Sequence, residues 1–223
     1  MRVTILLLAF MMFATSCNPT TKKHTKTGQM KIQDILELVQ HNDIEGVAKA
    51  LESGADVNTQ DNSRRSLLLV ATSNQQTDMA KLLIKHGADV NQQARNLDSP
   101  FLYAGASGQT ELVKLFLENG ARFDIFNRYN GSALIPACER GHVETVRLLA
   151  NTQNYPINHV NRLGWTALME AIVLGDGSEK YQQIVQILKA AGANLDIADH
   201  DGVTPLEHAQ NRGFWEIVRI LKF

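Results

Sequence analysis

Seven histidines and two cysteines are the side chains of this 223-residue chain best suited to nucleophilic, proton-transfer or metal chemistry. The histidines are dispersed, and the tightest grouping, Asp199, His200, Asp201 and His208, has a spacing that fits no metal-ligand pattern. Asp176 and Glu179 read more simply as a solvated loop than as a weak calcium site. The chain contains no G-x-S-x-G, no glycine-rich phosphate loop and no H-E-x-x-H. Two cysteines, Cys17 and Cys138, are too few for a disulfide framework or a zinc site built on cysteine pairs. No catalytic residue, cofactor or metal is therefore expected.

Arginine offers a different chemistry. Arg95, Arg128 and Arg162 recur at intervals of 33 and 34 residues, and a guanidinium pairs well with carboxylates spaced along a partner. The same row could instead bond the backbone of neighbouring loops and stiffen them, and the two roles can coexist. The chain as a whole is nearly neutral, with 22 Lys and Arg against 23 Asp and Glu. Such a balance builds no strong positive field, so nucleic acid is not an expected partner.

An internal repeat positions these residues. Gly54-Ala55-Asp56-Val57-Asn58 returns as Gly87-Ala88-Asp89-Val90-Asn91, then altered as Gly120-Ala121-Arg122-Phe123-Asp124 and Gly192-Ala193-Asn194-Leu195-Asp196. Between these marks lie Ser99-Pro100-Phe101, Ser132-Ala133-Leu134, Thr166-Ala167-Leu168 and Thr204-Pro205-Leu206. A glycine follows seven residues later at Gly108, Gly141 and Gly213. Thr204 and Glu207 fit a capping box, with Pro205 at the first helical position and Gly213 at the helix end. Ile217, Val218, Ile220 and Leu221 then form an apolar face at helical spacing.

A period of 33 residues carrying Thr-Pro-Leu resembles the ankyrin-repeat family over roughly residues 31–223. The resemblance implies an all-α solenoid of helix-turn-helix units joined by hairpin-like fingers. Six units are expected, at about 31–60, 61–93, 94–126, 127–160, 161–198 and 199–223, the first and last atypical as caps. Several positions depart from the family pattern. The histidine after Thr-Pro-Leu is replaced by Leu102, Ile135, Met169 and Glu207, and Arg65-Ser66-Leu67 stands in the motif's place in the second unit. The fourth unit ends in residues 151–158 without Gly-Ala-Asp, and the fifth carries extra residues around 175–180, between its helices.

The first 30 residues belong to no repeat. Arg2 precedes an apolar run from Val3 to Phe13, followed by Ala14-Thr15-Ser16-Cys17. This is the layout of a signal peptide over residues 1–16, and its end resembles a bacterial lipobox with Cys17 as the lipidated residue. Plain cleavage to a soluble exported protein is the alternative. Residues 17–30, polar and without periodicity, read as a flexible tether. Membrane contact is then expected only through the lipid anchor, at the periplasmic face of a bacterial membrane.

The resemblance implies binding through finger tips and the concave face of the first helices. It places Tyr103, Glu139, Arg140 and Glu170 on that face, beside Pro136, with Trp165 in a finger and the three arginines above. The expected function is a non-catalytic, monomeric scaffold for another envelope protein. Two rivals are a ligand-binding or enzyme-accessory role for the groove, and an effector secreted onto a host protein. Along the chain no convergent polar cluster stands out, which favours the scaffold; buried carboxylates under the fingers would favour the ligand-binding rival.

Overall fold

The structure is a computed structural model that describes residues 32–223. The signal, the tether and Cys17 lie outside the described residues. Among the described residues the chain forms twelve helices in six pairs. The first helix of each pair is α1 (Ile32–Gln40), α3 (Leu67–Ser73), α5 (Pro100–Ala106), α7 (Leu134–Glu139), α9 (Ala167–Val173) and α11 (Pro205–Asn211). The second is α2 (Ile44–Glu52), α4 (Thr77–Lys85), α6 (Thr110–Glu118), α8 (Val143–Ala150), α10 (Glu179–Ala190) and α12 (Trp215–Lys222). First helices stack on first helices and second on second, giving two layers around one continuous core. Cys138 lies buried within it.

Side-chain caps start most of the first helices. Ser66, Ser99, Thr166 and Thr204 each accept the N–H of the residue three positions on. Ser66 therefore caps α3 although its segment departs from the repeat pattern. At α7 the N–H of Leu134 is bonded by the hydroxyl of Tyr155, at 3.1 Å, from the atypical end of the fourth unit. Burial pushes that hydroxyl up to about 12, so it stays a neutral hydrogen-bonding group. The divergent stretch 151–158 thus supplies a cap that Ala133 does not.

The fingers share one geometry. Position one of each five-residue loop donates its N–H to the carbonyl of position five: Asp61 to Arg65, Ala94 to Asp98, Asn127 to Gly131, Asn161 to Trp165 and Asp199 to Val203. Where position one is Asp or Asn, its Oδ1 accepts the N–H groups of positions three and five. Position four is left-handed in all five fingers, and Leu97 adopts it with φ 64° despite its bulk.

Polar bonds also join successive units. Asn58 Oδ1 accepts the N–H of Asp89, Asn91 that of Arg122, and Asn158 that of Asn194, at 2.8–2.9 Å. The Asn91 amide also donates to the Gly120 carbonyl at 2.9 Å. Each asparagine closing one unit thereby holds the start of the same turn in the next. Changing Asn91→Ala leaves the Arg122 N–H and the Gly120 carbonyl without these partners. A loss of about 1–2 kcal/mol is expected, read as a lower urea midpoint with an unchanged slope.

Candidate functional site

The second, third and fourth fingers and helices α5, α7 and α9 enclose a groove of about 570 Å³. Its floor is apolar, with Leu102, Ile135 and Pro136. Tyr103, Glu139, Arg140, Glu170 and Arg128 all line it, so five of the eight residues expected to bind come together here. Arg95 and Arg162 lie exposed on flanking fingers, and their backbone N–H groups bond the preceding finger at Ser63 and Tyr129. At Arg95 and Arg162 the backbone thus ties neighbouring fingers together while the side chains stay at the surface. Trp165 is half-buried, closes its finger by backbone bonds with Asn161, and does not line the groove.

Asp98, Tyr129, Asn161, Leu163 and Leu174 also line the groove and were not expected there. The polar residues Asp98, Arg128, Glu139, Arg140, Asn161 and Glu170 converge. This corrects the expectation that no convergent polar cluster exists. They come from three successive units, so proximity along the chain could not reveal it. A signal for one pair is nevertheless present in the spacing. Finger position one and the helix residue nine places on meet both as Asn161–Glu170 and as Asp199–His208.

In the first pair Asn161 Oδ1 is occupied by two finger N–H groups, so its Nδ2 is left to donate to Glu170 Oε1 at 2.8 Å. Glu170 is only 4% exposed. Burial, reinforced by the charge of Glu139 and opposed by the Asn161 bond, raises its pKa to about 7. In the second pair His208 Nε2 meets Asp199 Oδ2 at 2.7 Å, and this bond holds the aspartate below its usual range. Asp199 and His208 thus form a hydrogen bond that ties a finger to α11.

The groove arginines Arg128 and Arg140 have contacts of their own. Arg128 lies 4.7 Å over the Tyr129 ring, and Arg140 Nη1 donates to the Ala106 carbonyl at 2.6 Å. Arg212 repeats the second contact two units on, donating to the Val173 and Gly175 carbonyls. Both arginines immediately precede the glycine after a first helix, a recurrence visible in the chain. Burial raises the pKa of Asp98 while Arg128 and Arg140 oppose that shift. The Glu139 carbonyl accepts the Tyr181 hydroxyl at 2.8 Å, which fixes the end of α7.

Comparison with known proteins agrees with this architecture. The family described as ankyrin repeats (3 copies) matches residues 35–127 and 107–199. An ankyrin repeat protein of Escherichia coli (strain K12), YahD, is 51% identical over 74 residues. That match covers 33% of this chain and 36% of the length of YahD. Among solved structures, an ankyrin repeat domain from Acinetobacter baumannii AYE is 46% identical with a TM-score of 0.81, covering 84% of this chain and 95% of that one. The ankyrin repeat protein EF0377 is 38% identical with a TM-score of 0.83, covering 86% and 98%.

The raised pKa of Glu170 makes stability depend on pH with a definite sign. Between the ordinary carboxyl value and about 7 the folded protein keeps a proton that the unfolded chain has released. Stability from this group is therefore present at low pH and lost as pH rises through that window. Glu170→Gln removes the loss. Relative to the native chain it should gain on the order of 2 kcal/mol at pH 8 and little near pH 4. Denaturant melts of both proteins at the two pH values measure the difference, and equal pH dependence would show an ordinary carboxyl.

Proposed function

Because this chain belongs to the ankyrin-repeat family, whose repeats mediate protein–protein interaction, we propose that it is a non-catalytic scaffold for a partner protein. The partner docks across the second to fourth fingers and the groove beneath them. One observation carries this reading. Leu97, Tyr129 and Leu163 stand on consecutive fingers at 41%, 53% and 51% exposure, beside the arginines of the same fingers. Large apolar side chains held on rigid loops and flanked by guanidinium groups resemble the composition of protein interfaces.

The signal-like segment 1–16 and Cys17 support an exported protein tethered by lipid at the periplasmic face of a bacterial membrane, where the partner is another envelope protein. The buried Glu170 in the groove favours a second reading, in which the groove holds a ligand.

A tagged protein expressed in its source cells should retain one specific partner, identified by mass spectrometry. The Arg95→Glu, Arg128→Glu, Arg162→Glu variant should lose it while keeping its helical signal. Failure to retain any protein would overturn the scaffold reading, and equal retention by both proteins would move the contact away from the arginines. Export with lipidation predicts that a labelled fatty acid is incorporated into the native chain and not into Cys17→Ser. Absence of label from both would leave plain cleavage.

A further inference from the structure

Charge divides the groove into two halves. On one side Asp98 feels both Arg128 and Arg140. On the other, Glu139 of α7 and Glu170 of α9 act on each other, and among the described residues no Lys, Arg or His acts on Glu170. Its only hydrogen bond there is from the neutral amide of Asn161, to Oε1. Oε2 has no partner among the described residues, and the side chain lines the cavity. This half concentrates negative charge that the protein's own side chains do not neutralise.

The walls select the kind of cation that would suit it. Tyr103, Pro136 and Glu170 occupy the same position of three consecutive first helices, so an aromatic ring, an apolar ring and a carboxyl form one row across the groove. Leu102 and Ile135 extend the apolar part. A metal ion would require more ligands than these two carboxylates, and no metal-suited group of three or more His, Cys, Asp or Glu occurs among the described residues. A long side chain with a charged head matches: its methylenes lie along the apolar wall, its head reaches the carboxylates, and Tyr103 borders its path.

We propose that Glu170 and Glu139 form the receptor for one lysine or arginine side chain of the docking protein, inserted along the Tyr103–Pro136–Glu170 row. The proposal rests on the protein-binding reading above and deepens it. The groove exceeds the volume of one side chain, so the backbone that carries it can lie between the fingers and the first helices. Partner binding would then supply the counter-charge that the free protein withholds from Glu170.

The test needs no identified partner, so its failure is separate from failure of the scaffold reading. Isotope-labelled protein at pH 8 is titrated with the Nα-acetyl methylamides of lysine, arginine and norleucine, and with spermidine, while amide NMR shifts are followed. The lysine or arginine probe should move the Asn161, Leu163 and Glu170 signals saturably, and the uncharged norleucine probe should not. Glu170→Gln should weaken the response at least tenfold with the remaining spectrum intact. Glu139→Gln, on a half-buried helix end, should weaken it less and serves if the first variant unfolds. Equal response to norleucine, no response up to the solubility limit, or unchanged binding by the carboxyl variants would overturn the proposal. Saturation by spermidine with neither side-chain probe binding would assign the site to a free polyamine and overturn it equally.

Discussion

No helix pair in this protein can bury its apolar face alone, and everything else in the structure follows from that shortfall. Each unit contributes two short helices of six to twelve residues, below the length at which isolated helices persist in water. Stability is therefore a property of interfaces between units. The interfaces combine a continuous core with polar bonds at fixed positions, in which Asn58, Asn91 and Asn158 fasten one turn to the next. Gln109 adds a similar link by donating to the Thr72 carbonyl, and Arg140 and Arg212 do so at the ends of earlier first helices. The bonds between units are thus spread over several side chains.

A framework held at so few positions leaves the rest free to vary. The fifth residue of each capped segment reads Val70, Tyr103, Pro136, Glu170 and His208 along the solenoid. These side chains share one position in the repeat and differ completely in chemistry. The fingers above them follow the same logic. One loop geometry is kept by a left-handed fourth residue and, in four of the five fingers, an Asx side chain at position one, while the residues at positions two to four change from unit to unit. Asn161–Glu170 and Asp199–His208 use one geometric slot with opposite arrangements of acid and donor. One slot yields a buried carboxyl poised near neutral pH, and the other yields an aspartate held below its usual range by a histidine hydrogen bond.

Glu170 works against the fold at high pH and is retained where the groove is deepest in polar groups. Its environment has the character of a site that trades stability for recognition, since a neutral amide of the same shape would suit the free protein better. The exposed Leu97, Tyr129 and Leu163 above it carry the same message in apolar form. This face combines exposed hydrocarbon with a buried carboxyl that no cation of the described chain offsets.

Much of the molecule is legible in the chain alone. The recurrence of Gly-Ala-Asp-Val-Asn, the Ser or Thr caps and the glycine seven residues on determine the helices, their order and the fingers, because the caps and turns act within a few residues and the Asn58 and Asn91 bonds to the next unit recur at the repeat period. The faces of Tyr103, Glu139, Arg140 and Glu170 are legible for the same reason, since repeat phase sets direction. Only the tertiary structure decided which of these side chains meet. Asp98, Arg128, Glu139, Asn161 and Glu170 arrive from three units, and their convergence depends on how far each unit rotates against the next. The substitute cap from Tyr155 and the buried state of Glu170 are decided the same way. Burial and charge coupling are properties of the space between units, and a repeat motif read along one strand of sequence carries no measure of that space.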